Sequence, residues 1–132
     1  MKKFYNFLAI AFLSILSHNV YSQSTGDIAF IGINSDGDDD FSIVALTNIA
    51  ANTSIYFTDD AATNATSTSG SEGTVLWNTG GSIIYAGTVV RFTDIDAVSS
   101  RQVSVGSFTS SSGSFNLATS GDNIYAYTGS GS

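Results

Sequence analysis

Short apolar runs rich in Val, Ile, Thr and aromatics recur along residues 27–127, separated by clusters of Gly, Asn, Asp and Ser. That is the pattern of strands bounded by turns. The runs are DIAFIGI (27–33), FSIVALT (41–47), TSIYFTD (53–59), EGTVLW (72–77) and TVVRFTD (88–94). In 53–59, Ile55 and Phe57 share one face, with Tyr56 and Thr58 on the other; in 88–94, Val90 and Phe92 alternate with Arg91 and Thr93. The run 41–47 has apolar residues on both alternating faces, which predicts a strand covered on both sides. Trp77, the chain's one tryptophan, lies within a strand pattern and is expected in the core.

Residues 60–71, DAATNATSTSGS, hold no large apolar side chain and predict a long exposed loop. The segment 97–113 predicts one weak strand, VSVGSF, followed by a serine-rich loop. SFNL (114–117) and NIYAY (123–127) predict two more strands, the latter with Tyr125 and Tyr127 on one partly exposed face. No segment after residue 22 sustains helical periodicity. Several short strands at this spacing predict an all-β sandwich or barrel. The tail YTGSGS has no capping element, so either 123–127 is the last strand or the polypeptide is a fragment of a longer one.

The first residues, MKKFYNFLAIAFLSILSHNVYSQ, place Lys2 and Lys3 before an apolar stretch from Phe4 to Leu16 and end on Val20-Tyr21-Ser22. This is the layout of a secretory signal peptide, and it predicts cleavage after Ser22. The apolar stretch is shorter than the ~20 residues of a membrane span, and there is no cysteine to carry a lipid. The expected domains are therefore a signal peptide at 1–22 and one folded domain at 23–132. The expected location is secreted, whether extracellular, cell-surface or periplasmic, with no stable membrane insertion of the processed chain.

Removing residues 1–22 takes away both lysines and the only histidine, leaving two arginines against eleven carboxylates, a formal charge of −9. So acidic a body repels phosphate backbones, which excludes nucleic acid as an expected partner. With no cysteine, the fold rests on its core and backbone pairing. The remaining ~110 residues suit a single domain. Arg91 and Arg101 are expected as salt-bridged surface positions.

The same census bears on catalysis. Nucleophilic chemistry of the Ser-His-Asp or Cys-His kind needs a base that titrates near neutrality, and residues 23–132 contain no His, Cys or Lys. Hydrolysis by two carboxylates would require Glu72 with Asp59 or Asp60 facing one bond. Carboxylates bordering a loop are more often solvated turn residues, so no enzyme activity and no catalytic residue is expected.

The stretch NSDGDDDFSIVAL (34–46) concentrates aspartates before a strand. Asn34, Asp36, Asp38 and Asp40 stand at every second position, a spacing that offers hard oxygen donors to calcium. An EF-hand is excluded: Asp39 occupies its glycine position and Ala45 its bidentate glutamate. A looser site completed by Asp59 or Asp60 remains open. The competing reading is a turn, in which Asn and Asp bond their own backbone and Gly37 supplies positive φ. No cofactor is expected, calcium being the one candidate.

In the order of its landmarks the chain resembles the lamin-tail domain family. VALTNIAANTSIYFTD resembles that family's strand, Asn-containing turn and strand, with Asn48 after the first strand. IYAGTVVRFTD resembles its glycine-then-strand segment through Ala86-Gly87. FNLATSGDNIYAY resembles its ending through Leu117, Ser120, Gly121, Asp122, Ile124 and Tyr127. The resemblance implies an immunoglobulin-like β-sandwich without an active site, used as an accessory, adhesion or scaffolding module of a larger exported protein. Its partner would be a protein or glycan not named by the sequence. The alternative is a calcium-stabilised, glycan-binding surface domain, and the least favoured is a carboxylate-only hydrolase. Nothing in the sequence fixes an oligomeric state.

Overall fold

The computed structural model describes residues 23–64 and 67–129. The expected signal peptide at 1–22 lies outside the described residues. Within them every helix or strand assigned is a strand: β1 (Ile28–Asn34), β2 (Asp40–Ala45), β3 (Ser54–Thr58), β4 (Ala62–Asn64), β5 (Ser67–Thr68), β6 (Thr74–Asn78), β7 (Val89–Thr93), β8 (Gln102–Val103), β9 (Ser107–Ser112) and β10 (Tyr125–Tyr127). All pairings are antiparallel. One sheet runs β1-β2-β7-β8, a second β10-β3-β6-β9, and β4 and β5 form a separate two-stranded ribbon.

The two four-stranded sheets pack as a sandwich because each presents every second side chain to the other. From the first come Phe41 and Ile43 of β2 and Val90 and Phe92 of β7; from the second come Ile55 and Phe57 of β3 and Val75 and Trp77 of β6, all buried. The rings lock across the gap. Phe92 lies 4.4 Å from Phe41 in its own sheet, and 5.1, 5.4 and 5.0 Å from Phe57, Trp77 and Phe108 of the opposite one. Edge-to-face and offset contacts of this kind contribute about 0.5–1.5 kcal/mol each beyond the area they bury. Trp77 is core as expected, and its indole Nε1 donates to the Val105 carbonyl at 2.8 Å.

Five expectations change. The 41–47 run is covered on one face: Phe41, Ile43 and Ala45 are buried, while Ser42 and Val44 are half-buried and Leu46 is exposed. The weak strand at 103–108 is two strands, since the chain turns at Gly106 (φ +81°), where a Cβ would meet the Asn78 carbonyl oxygen at 2.0 Å. The 60–71 loop contains the β4–β5 ribbon and begins at Asp60, which is buried. Segment 114–117 joins no ladder, although Phe115 and Leu117 are buried. Arg101, expected in a salt bridge, places its guanidinium 5.8 Å from the Phe108 ring centre and donates to Ser110 Oγ.

Candidate functional site: an acidic pole built on buried aspartates

Strand register gathers the acids at one end of the sandwich. The β1–β2 turn, the ends of β3 and β7, the start of β6 and the 120–123 turn meet there. They bring with them all of the chain's 11 acidic residues except Asp27. Like charges so crowded need either solvent or donors. Three of these aspartates, Asp39, Asp59 and Asp60, are buried.

Each buried carboxylate faces backbone N–H groups that no ladder satisfies. Asp59 Oδ1 accepts from Gly73 N at 2.8 Å and its Oδ2 from Asn116 N at 2.7 Å. Asp39 Oδ2 accepts from Leu117 N at 2.6 Å. Between them, Asp39 and Asp59 hold the 115–117 segment over the end of the core while Phe115 and Leu117 insert their side chains. This explains why SFNL reads as a strand yet pairs with none: the N–H groups of Asn116 and Leu117 go to side chains. The segment passes so close to Gly73 that a Cβ there would meet Phe115 N at 2.1 Å.

Asp60 organises the ribbon side. Its Oδ1 accepts from Ser71 N at 2.9 Å, Glu72 N at 2.8 Å and Ser69 Oγ at 2.9 Å. Here burial pushes the carboxyl up, but the donors from Glu72, Ser69, Ser71 and Thr58 outweigh it and hold Asp60 below the ordinary aspartate value. Asp39 and Asp59 go the other way. Burial raises both, against the N–H groups of Leu117 for Asp39 and of Asn116 and Gly73 for Asp59, and nearby Asp122 adds to the rise in each. Glu72 is also raised, by desolvation and then by Asp59, Asp122 and Asp60.

Of the four residues proposed for calcium, Asn34 and Asp40 sit opposite one another across the β1–β2 hairpin. Asn34 closes the turn with both ends of its amide: Nδ2 donates to the Asp38 carbonyl at 2.9 Å and Oδ1 accepts from Asp36 N at 3.3 Å. Gly37 has φ +90°. Asp40 Oδ1 accepts from Asp94 N at 3.0 Å, linking the turn to the end of β7. Asp36 and Asp38 are exposed in the turn. Among the described residues no group of three or more His, Cys, Asp or Glu is placed to hold one ion. Asp59 and Asp60, the suggested completing ligands, carry the donors named above.

Sequence reasoning passed over Asp39, noting it only as the residue that breaks an EF-hand. A usable signal was present, since Asp39-Asp40 and Asp59-Asp60 are both Asp-Asp pairs at strand ends. At 120–122 the expected Ser-Gly-Asp turn is closed by Asp122, which accepts from Ala118 N at 3.0 Å and Asn123 N at 2.7 Å. No helix among the described residues is long and apolar enough to cross a membrane. Compared with family models, curated proteins and solved structures, the chain matches none of them.

Proposed function

We propose that the chain is a non-catalytic, exported accessory or adhesion module with an immunoglobulin-like sandwich of lamin-tail type, carried by a larger secreted or cell-surface protein. The observation that carries this reading is the use of the acidic pole: the buried carboxylates that could act as acid or base instead accept backbone N–H groups and brace the 60–73 and 115–117 segments. Two further features support it. The chain order places β1, β2 and β7 in one sheet and β3 beside β10 in the other, as strands A, B, E and C, F lie in an immunoglobulin sandwich. Two segments that resemble the lamin-tail family also meet, Asn48 Oδ1 accepting from Ala86 N at 3.0 Å beside Gly87 (φ +87°).

The test is turnover. Purified protein assayed on phosphomonoesters, phosphodiesters and polysaccharides shows none in this account. Turnover that disappears in Asp59→Asn, with the fold retained, refutes it. A glycan-binding reading is favoured by one observation: on the outer face of the second sheet, Tyr56 and Tyr127 stack at 5.4 Å near exposed Tyr125, offering flat apolar faces. A glycan array with a Tyr125→Ala control separates the two, because binding lost with the ring assigns that face to sugar.

A further inference from the structure

An aspartate can react with the backbone that follows it. The nitrogen of the next residue attacks the side-chain carboxyl, so the reaction needs a carboxyl free to turn, a following N–H not spent on a hydrogen bond, and no Cβ shielding that nitrogen. Of the chain's ten aspartates, nine fail on at least one count. Asp39, Asp59 and Asp60 are buried. Asp27, Asp40, Asp96 and Asp122 each accept a backbone N–H, from Ser24, Asp94, Asp39 and Ala118. Asp38 and Asp94 precede residues whose N–H groups are taken: Asp39 N donates to Asp96 Oδ1 at 3.2 Å, and Ile95 N to the Asp39 carbonyl at 2.9 Å.

Asp36 meets all three conditions. It is exposed in the β1–β2 turn, and its carboxylate accepts no hydrogen bond among the described residues; its backbone N donates to Asn34 Oδ1 at 3.3 Å. Gly37 follows it, in the chain's one Asp-Gly step. The Gly37 N–H lies outside the ladders and reaches no acceptor among the described residues. A Cβ built on Gly37 would meet nothing within 4 Å, so no other element crowds the turn.

We propose that Asp36–Gly37 is a self-modification site, where the turn converts through a succinimide to an isoaspartyl linkage. Gly37 N bonds to Asp36 Cγ, a Cγ–O bond of the carboxylic acid breaks, and water leaves with the amide proton. Water then adds to the main-chain carbonyl carbon of Asp36 in the five-membered imide, and the bond from that carbon to Gly37 N breaks. Gly37 is now joined through Cγ, and residue 36 keeps a free α-carboxylate. One water leaves and one enters, so the mass is unchanged and no oxidant or cofactor takes part. The imide also removes one negative charge from a turn crowded with aspartates. Routing the main chain through Cβ lengthens the turn by one carbon, so Asn34 no longer spans from Asp36 N to the Asp38 carbonyl. The inference needs only this turn and stands apart from the adhesion and glycan readings.

Peptide mapping with electron-transfer fragmentation, which separates isoaspartate from aspartate at equal mass, reads the reaction in the full purified chain held for weeks at neutral pH. Isoaspartate is expected at position 36 at about ten times or more its level at Asp38 or Asp94. Asp36→Glu keeps the charge but sets the carboxyl one methylene too far for a five-membered ring, and no isomer is expected there. Asp36→Asn has ammonia to expel in place of hydroxide and is expected to convert faster than the wild type. Isoaspartate at position 36 no higher than at Asp38 and Asp94 overturns the inference; conversion there only in the urea-unfolded chain does so too, and lays the cause on the folded turn. An Asp36→Asn variant that keeps its amide over the same period also overturns it.

Discussion

Replacing Asp59 by asparagine changes one atom's chemistry at the brace that ties the start of β6 to the 115–117 segment. The carboxylate takes Gly73 N on one oxygen and Asn116 N on the other. An amide has one acceptor, so either orientation keeps one bond and turns an NH2 group against the other N–H. Losing a charge-assisted bond and stranding a buried donor costs about 2–3 kcal/mol. Relief of the burial that pushes the Asp59 carboxyl up offsets part of this, leaving a net loss of about 2 kcal/mol. For a domain of this size that lowers Tm by roughly 10 °C. Asp39→Asn is the internal control. Its carboxylate accepts Leu117 N on a single oxygen, which an amide oxygen replaces, while the burial that raises its carboxyl is relieved; the expected change is within about 0.5 kcal/mol. Urea unfolding followed by the fluorescence of Trp77, buried and the chain's only tryptophan, reads both. Equal losses in the two variants, or a fully stable Asp59→Asn protein, would refute the reasoning.

Acidity gives a second outcome. Asp39, Asp59 and Glu72 are raised, so the folded chain binds more protons than the unfolded chain just above the ordinary carboxylate values of 3.8 and 4.5, and stability increases as pH falls from neutrality into that window. Asp60 is lowered below 3.8, so its contribution is present above that value and is lost as pH drops through its folded value. Melting curves by circular dichroism should therefore pass through a maximum on the acid side of neutrality, and a monotonic fall from pH 7 contradicts the assignment. Gly73→Ala drives a Cβ into the Phe115 backbone and should cost more than about 3 kcal/mol or prevent folding; soluble expression with an unchanged Tm would count against the close approach. Calcium at millimolar levels is expected to leave the Tm of chelator-treated protein unchanged, since Asn34 and Asp40 already act within the turn. A rise that Asp36→Asn with Asp38→Asn abolishes would instead assign a cation to that turn.

Strand positions were legible wherever one face alternates with the other. Val90 and Phe92 against Arg91 and Thr93, or Ile55 and Phe57 in β3, are fixed by the two-residue period alone. Segment 114–117 has the same composition, but its partners are carboxylates at positions 39 and 59, a pairing across long sequence separations that local pattern does not encode. The aspartates misled for a related reason. Exposed Asp36 and Asp38 and buried Asp39 and Asp60 are one residue type, and only register decides which of them meets a backbone donor. Gly106 was visible as a glycine within a strand pattern; that it splits the strand follows from its positive φ and from the Asn78 carbonyl beside it.

The account centres on carboxylates that hold backbone rather than perform chemistry, and amide hydrogen exchange reads that directly. Gly73 and Leu117 lie at buried positions, and the N–H groups of both, with that of Asn116, point at Asp59 or Asp39. In the intact protein these three amides are expected to exchange as slowly as the core strand residues Ile43 and Phe57, and the Asp59→Asn variant should release Gly73 or Asn116 selectively. Exchange at all three as fast as in the exposed 36–38 turn would contradict the account.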